Sequence, residues 1–228
     1  METKARSRDE LLAAGVVRPM SLGRGARQLA VAVLDVSGSM HGQKIADATA
    51  ALAALREELA APANRDGFDL GVVAYADSAA TTVPVRRASQ TAPADLVVRT
   101  ILGGSTNFAA ALCECRVVVD RALAAESRQL RPVVMFLTDG RWNTGPDPVP
   151  LAADLRVIAD IVCIAFGADA DLQALESLAT SPQHVARCRN GPELLAYFAQ
   201  VGRSMSESRA SGTQTSIALA TIGTQSRR

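Results

Sequence analysis

The chain has 228 residues, of which 48% are hydrophobic and only 4% aromatic, and its formal net charge is +1. A core built mainly from Ala, Val and Leu favours helices packed on a parallel sheet over an aromatic-rich β-sandwich. The near-neutral charge argues against a nucleic-acid partner, because dedicated nucleic-acid binders normally carry a clear basic excess.

Basic residues concentrate at the two ends of the chain, which leaves the middle mildly acidic. We expect a basic, partly disordered N-terminal extension over 1–27, one domain over 28–202 and a Ser/Thr-rich disordered tail over 203–228. No leader-like segment and no apolar run of about 20 residues is seen, so no membrane partner is expected. The four cysteines form no CxxC pair, and free thiols favour a cytoplasmic location.

Apolar runs of strand length alternate with helix-length segments along the middle of the chain. The first run, "QLAVAVLD", is continuously apolar, as expected for a strand whose sheet is covered on both faces. In chain order we predict a strand at 28–35, a helix at 44–60, strands at 68–76 and 78–85, helices at 93–102 and 107–126, a strand at 131–139, a helix at 147–159, a strand at 160–167, a helix at 171–180, a short strand at 183–188 and a helix at 191–205.

The spacing of these elements predicts their pairing. Only Asp77 and Ser78 separate the second and third strands, too few residues for a crossover helix, so these two strands should be antiparallel. Pro84 fits an edge position in the third strand. The predicted fold class is therefore α/β, a doubly wound and mostly parallel sheet with one antiparallel edge strand and helices on both faces. In such sheets, ligands bind beyond the carboxyl ends of the strands.

Three short segments place oxygen-bearing side chains at that edge: "DVSGS" after the first strand, "GGSTN" before the long helix, and "LTDG" after the strand at 131–139. The candidate ligands are Asp35, Ser37, Ser39, Thr106 and Asp139. Carboxylate and hydroxyl oxygens are hard ligands that suit Mg²⁺ or Mn²⁺. Gly38 should relax the turn so that both serine hydroxyls point to one place. The residues predict a divalent-metal site.

These segments resemble the metal-ion-dependent adhesion site of von Willebrand factor A (VWA) domains, and the element order over about 28–202 is similar to that fold. The resemblance implies that Ser37, Ser39 and Thr106 coordinate the metal directly. It implies that Asp35 and Asp139 do so directly or through water. It also implies a non-enzymatic module in which an Asp or Glu of a protein partner binds the metal.

A finer resemblance is carried by "GGSTNFAAAL" and "VVMFLTDGRWNTGPD", which look most like the bacterial TerY-like branch of these domains. That branch is associated with tellurium resistance and related stress responses. The resemblance implies a role in such a system, with a co-encoded kinase-like or phosphatase-like protein as the partner.

Residues around the predicted site are candidates for contact with the partner. Trp142 is the only tryptophan, lies three residues after Asp139 and follows Arg141. Trp and Arg are over-represented at the energetic centres of interfaces, although a loop tryptophan can instead cap the sheet. His41 follows the first motif and is a further candidate, with a solvated position at a helix start as its alternative. Phe108 is expected to pack inward.

Two other functions remain open from the sequence. In the first, the chain is a metal-dependent phosphohydrolase with Asp35 as nucleophile, because an aspartate at the end of a first strand can support covalent chemistry. Ser37 stands where such enzymes place a second acid, and a hydroxyl cannot serve as that acid. In the second, the metal is purely structural and a partner binds elsewhere on the scaffold.

Overall fold

The computed structural model describes residues 26–98, 103–126 and 129–226. Its strands and longer helices are β1 (Arg27–Asp35), α1 (Gln43–Leu59), β2 (Phe68–Tyr75), β3 (Ala79–Arg87), α2 (Phe108–Ala125), β4 (Gln129–Thr138), α3 (Val149–Ile158), β5 (Asp160–Phe166), α4 (Leu172–Leu178), β6 (Val185–Cys188), α5 (Gly191–Ser211) and α6 (Thr215–Gln225). The predicted extension over 1–27 lies outside the described residues except for Ala26 and Arg27, where β1 begins.

The strands form one six-stranded sheet in the order β3-β2-β1-β4-β5-β6. Neighbouring strands are parallel except for β3, which pairs antiparallel to β2 at the edge of the sheet. This confirms the predicted fold class. The register aligns Asp35 with Tyr75 on one side of β1 and Leu34 with Leu137 on the other. The ends of the two central strands, β1 and β4, therefore lie side by side.

Helices cover both faces of the sheet, which explains the unbroken apolar run in β1. Residues alternate along a strand, so Ala30 and Leu34 pack on the face covered by α1, α5 and α6, whereas Val31 and Val33 pack on the face covered by α2, α3 and α4. Every residue of β1 after Arg27 is buried. A two-sided core leaves the strand ends and their loops as the exposed sites for polar chemistry.

The structure corrects the prediction of a disordered tail over 203–228. Helix α5 continues to Ser211, and α6 follows with Leu219 and Ile222 buried in the same core as α1. Gly223 allows this helix to pack closely, because a Cβ there would overlap the carbonyl oxygen of Gln183. The Ser, Thr and Gly content of this segment predicts disorder. A helix forms all the same, because a few apolar residues pack into a groove between other elements and this packing outweighs the local propensity.

The structure also differs from the prediction of a helix at 93–102. Residues Pro93–Leu96 form a short 3-10 helix, Val97 is extended, and 99–102 lie outside the described residues. Pro93 suits the first turn of such a helix, while the β-branched pair that follows favours an extended chain. Within the described ranges, no helix is both long and apolar enough to cross a membrane.

Candidate metal centre

Asp35 ends the central strand β1 and is fully buried. Its Oδ1 accepts a hydrogen bond from the backbone N–H of Ser37 at 2.9 Å, and its Oδ2 accepts one from the hydroxyl of Thr138 at 2.7 Å. Burial raises the pKa of the Asp35 carboxyl; the hydrogen bonds from Ser37 and Thr138 oppose this rise, and the nearby Asp139 adds to it. A cation beside these two acids would offset the cost of keeping both ionised.

The two predicted serines lie in a tight turn directly after β1. The hydroxyls of Ser37 and Ser39 are 3.2 Å apart, and the turn is closed by the Met40 N–H, which donates to the Ser37 carbonyl at 3.0 Å. Gly38 lies between them in the 3-10 turn Gly38–Met40 and does not have a left-handed backbone. Gly42 does, with φ +76, where the chain turns into α1.

Asp139 connects this turn to the end of β4. Its Oδ1 accepts a hydrogen bond from the Ser39 hydroxyl at 2.7 Å, so the predicted meeting of two segments 100 residues apart is confirmed. Its Oδ2 forms an ion pair with the ammonium of Lys44, in the first turn of α1. The Asp139 side chain has no exposed surface, whereas that of Lys44 is 35% exposed.

Thr106 reaches the same edge through the loop that precedes α2. Its backbone N–H donates to Oδ1 of Asn143 at 2.8 Å, and the Asn143 N–H donates back to the Thr106 carbonyl at 3.2 Å. These two bonds tie the Thr106 loop to the loop after Asp139. Thr106 is buried.

Asp77 holds the Thr106 loop from its other side. Its Oδ1 accepts from the Ser105 N–H at 2.8 Å, and its carbonyl accepts from the Asn107 side chain at 3.1 Å. Gly103 allows the loop to approach, because a Cβ there would lie only 3.1 Å from the Cβ of Ala76. These contacts give Asp77 a structural role, because they hold the Thr106 loop against the turn between β2 and β3.

Three aromatic rings pack against one another beneath the site. Tyr75, Phe108 and Phe136 have ring centroids between 5.0 and 6.1 Å apart, and Phe108 packs edge-on against both of the others. The Tyr75 hydroxyl donates to the Leu137 carbonyl at 3.2 Å. Phe108 thus packs inward, as predicted, and fixes the start of α2 next to Thr106.

The chemistry of this donor set fits a hard divalent cation. The backbone N–H of Ser37 donates to Asp35, and the hydroxyls of Ser37 and Ser39 continue the hydrogen bonds to Asp139. Both carboxylates are buried, and Thr106 lies on an adjoining loop. Across the described ranges, no group of three or more His, Cys, Asp or Glu side chains could hold a metal. A metal at this edge of the sheet would draw on hydroxyl oxygens as well as carboxylates, and Mg²⁺ and Mn²⁺ accept both together with waters.

The three residues predicted to contact a partner are exposed near this edge. Trp142 is 38% exposed and its indole N–H donates to the Thr144 carbonyl at 2.6 Å, so the ring is held on the loop after Asp139 rather than folded into the core. Arg141 and His41 are also exposed. The structure places all three around the candidate site and leaves their contact with a partner as a prediction.

Sequence reasoning missed three residues that organise the site. Thr138 binds Asp35, Asn143 binds the Thr106 loop, and Lys44 pairs with Asp139. Thr138 precedes Asp139 in the third motif, so its position one residue from a ligand was an available signal. The roles of Lys44 and Asn143 depend on contacts between distant segments, for which the sequence offers no local signal.

The family model of the von Willebrand factor type A domain matches residues 31–200 of the chain. An uncharacterized protein of Mycobacterium tuberculosis is 31% identical over 121 residues, a match that covers 53% of this chain and 19% of that protein. The match therefore spans only a small part of that relative.

Solved structures share the fold at low sequence identity. A structure of proximal thread matrix protein 1 from the mussel byssus has a TM-score of 0.67 at 18% identity and covers 80% of this chain and 48% of that one. A von Willebrand factor type A protein from Catenulispora acidiphila has a TM-score of 0.66 at 21% identity, with 79% and 43% coverage. A further structure of the mussel protein, with a TM-score of 0.62 at 18% identity and 80% and 48% coverage, has a zinc-occupied adhesion-site motif.

Proposed function

The chain belongs to the von Willebrand factor type A family, and from this premise we propose that it is a divalent-metal-dependent protein-interaction module. Domains of this family commonly mediate metal-dependent protein interactions and are generally not enzymes. In this proposal the metal is Mg²⁺ or Mn²⁺, and the partner is a protein that offers an Asp or Glu side chain.

The proposal assigns a role to each oxygen-bearing residue of the site. Ser37, Ser39 and Thr106 would bind the cation through neutral hydroxyls, and Asp35 and Asp139 would bind it directly or through water. When bound, the cation supplies a Lewis acid whose charge is only partly neutralised, so that a carboxylate of the partner is attracted to it. The chain's own residues hold the donors in place and exclude bulk water from the buried side of the site.

The observation that carries the proposal is the direct contact between the first and third motifs. The Ser39 hydroxyl is bonded to Asp139 at 2.7 Å and lies 3.2 Å from the Ser37 hydroxyl. Ser39 is exposed while Asp139 is buried, so the donor set has one side toward solvent and one toward the core. A cation there can be approached by a partner from above the sheet.

Metal titration of the purified protein tests the proposal. Trp142 is the only tryptophan and is held on the loop after Asp139, so its fluorescence can report Mg²⁺ or Mn²⁺ binding alongside calorimetry. Because Ser39 is a proposed direct ligand, Ser39→Ala should weaken metal binding by roughly tenfold or more, and Asp139→Ala should abolish it.

Ser89→Ala is the matched control for this titration. Ser89 is also exposed and also donates to an aspartate, Asp66, but it lies in the 3-10 turn that follows β3, at the end of the sheet opposite the candidate site. The control variant should bind metal like the wild type. Equal metal affinity in the wild type, Ser39→Ala and Asp139→Ala would remove the proposed function.

The partner surface in this proposal includes Trp142, Arg141 and His41. A partner that offers a carboxylate to the metal is expected to carry further acidic residues, which Arg141 would complement, while the Trp142 ring supplies apolar area. Chelation of the metal with EDTA should release the partner. If the metal is purely structural and the partner binds elsewhere on the scaffold, the complex should instead survive the Ser39→Ala substitution.

The absence of catalytic activity stays a prediction. The geometry of Asp35 supports an orienting role over a nucleophilic one, because the residue is fully buried and both carboxylate oxygens accept hydrogen bonds. Turnover of a generic phosphomonoester that is lost in Asp35→Asn would instead support the phosphohydrolase alternative.

At the finest level we propose a role in a bacterial tellurium-resistance or stress-response system, with a co-encoded kinase-like or phosphatase-like partner. The support is the resemblance of "GGSTNFAAAL" and "VVMFLTDGRWNTGPD" to the TerY-like branch. Growth on tellurite of a host strain that lacks the gene is the test. Rescue by the wild type but not by Asp139→Ala is expected, and undiminished growth of the deletion strain would refute the role.

A further inference from the structure

Lys44 places a positive charge inside the donor set of the candidate metal centre. Its ammonium forms an ion pair with Oδ2 of Asp139, whose other oxygen accepts the hydrogen bond from Ser39. Because Asp139 is fully buried, its charge has little access to water and depends on a nearby cation. The cation that the chain itself provides is Lys44.

The position of Lys44 in its own helix is electrostatically unfavourable. It is the second residue of α1, and the first turn of that helix contains no acidic residue. Helix N-termini carry a partial positive charge and favour anions, so a lysine there gains nothing from its helix. Its placement is explained by Asp139 and not by the stability of α1.

We propose that Lys44 is a built-in counter-ion of the site, which competes with the divalent metal for Asp139 and thereby sets the metal affinity. This inference rests on the proposed function, since it concerns the same site. A metal bound by Ser39 and Asp139 would draw the carboxylate away from the ammonium. The four-carbon stem of Lys44 is flexible and already one-third exposed, so the ammonium can move to solvent without a backbone change.

This arrangement would link metal binding to partner binding. An ammonium released from Asp139 would stay tethered near the exposed side of the site and would add to the attraction for an acidic partner. The competition also keeps the buried Asp139 neutralised at metal concentrations below saturation. The site would thus be stable without metal and respond to it with moderate affinity.

The test compares the wild type with Lys44→Met, which keeps the length of the side chain and removes its charge. Lys44→Arg, which keeps a charge, is the matched control. Mn²⁺ binding is measured by electron paramagnetic resonance, and thermal unfolding is measured in EDTA and in saturating Mn²⁺. Loss of one adjacent positive charge should raise the Mn²⁺ affinity about tenfold, given partial screening by solvent and salt.

The expected signature is a pair of opposite changes in Lys44→Met. In EDTA it should unfold at a lower temperature than the wild type, because Asp139 loses its counter-ion, while its Mn²⁺ affinity and its stabilisation by Mn²⁺ should both be larger. Lys44→Arg should resemble the wild type in affinity.

Two results would overturn the inference and are distinguishable from each other. If the wild type and Lys44→Met bind Mn²⁺ with equal affinity while Ser39→Ala binds it weakly, the metal site is real and Lys44 does not compete. In that case, an equal decrease in the unfolding temperature of Lys44→Met in EDTA and in saturating Mn²⁺ would show that Lys44 has only a structural role. If neither the wild type nor any variant binds Mn²⁺, the proposed function is wrong and the inference is wrong with it.

Discussion

Single hydrogen bonds decide how the two buried acids of the site are oriented. The Thr138 hydroxyl donates to Asp35 and accepts from the Gly140 N–H at 3.2 Å, so it fixes both the acid at the end of β1 and the turn after β4. Thr138 itself is fully buried. Its hydroxyl therefore acts on the candidate ligands without being one of them.

Thr138→Val tests this role with a side chain of the same shape. Removal of the donor leaves a buried carboxylate oxygen unsatisfied, which should cost about 1–3 kcal/mol of unfolding free energy. Because Asp35 also loses its orientation, metal affinity should fall roughly tenfold or more. Denaturant unfolding and Mn²⁺ titration measure the two effects.

Thr91→Val is the control for that variant. Thr91 is also fully buried, but its hydroxyl donates to the Arg87 carbonyl at 3.1 Å, at the opposite end of the sheet. It should lose stability without a change in metal affinity. If Thr138→Val binds Mn²⁺ as tightly as Thr91→Val does, Thr138 does not orient the site.

At the scale of elements, the docking of α6 depends on a small polar cluster as well as on its apolar residues. His184 is buried; its Nε2 lies 3.0 Å from the Ser216 carbonyl and its Nδ1 lies 2.8 Å from the Ser181 hydroxyl. Gln28 at the start of β1 bonds the Thr215 hydroxyl at 3.2 Å. These contacts join the first turn of α6 to two other segments.

Acidification should weaken this docking through His184. Burial lowers the pKa of its imidazole below 6.5, although the charge of Asp160 and the Ser216 carbonyl act in the opposite direction. The unfolded chain therefore binds the proton more tightly, so the stability from neutral His184 is present above about pH 6.5 and is lost as pH falls through it.

The measurement compares the pH dependence of unfolding in the wild type and in His184→Gln. Between about pH 7 and about pH 5, the wild type should lose more unfolding free energy than the variant, because the substituted side chain at position 184 does not titrate. All other titratable groups are the same in the two proteins, so the difference between the two profiles isolates residue 184. Parallel pH profiles would contradict the prediction.

At the scale of the whole molecule, the candidate metal site and a set of stabilising contacts made by Arg209 lie at opposite ends of one sheet. The candidate site is at the carboxyl ends of β1 and β4. At the other end, the Arg209 guanidinium donates to the carbonyls of Ala26 and Asn64, each at 3.2 Å, and lies 5.8 Å from the centre of the Phe68 ring. Arg209 thus ties α5 to the starts of β1 and β2.

Arg209→Leu should therefore destabilise the fold without affecting the site. Loss of two charge-assisted hydrogen bonds and the ring contact should cost about 1–3 kcal/mol. Mn²⁺ affinity should remain at the wild-type value, because distant sites contribute independently. Unfolding curves and Mn²⁺ titrations of the same preparations supply both readouts.

Arg203→Leu on the same helix is the comparison for this variant. Arg203 pairs with Glu58 at 2.8 Å, but its side chain is 51% exposed, and exposed pairs contribute about 0–1 kcal/mol. It should unfold close to the wild type. A similar loss in both arginine variants would show that Arg209 is an ordinary surface residue.

Sequence alone was enough for the fold class and for the antiparallel pairing of β2 and β3. It also led to the candidate metal ligands, whose binding of a metal stays a prediction. Parallel strands covered on both faces need continuous apolar runs, and those of β1 and β4 each end at a polar loop. The short link at Asp77 and Ser78 allowed only an antiparallel β3. Such signals are local, so they can be read without knowing which segments meet.

Only the tertiary structure determined the conformation of the C-terminal residues and the contacts between the segments that form the site. Helix α6 is ordered because Leu219 and Ile222 fit a groove built by distant elements, which composition does not reveal. Lys44 pairs with Asp139, and Asn143 with Thr106, only because the loops of separate strands converge at one edge. Contacts between remote segments depend on packing geometry, whereas periodicity and turn chemistry are properties of neighbouring residues.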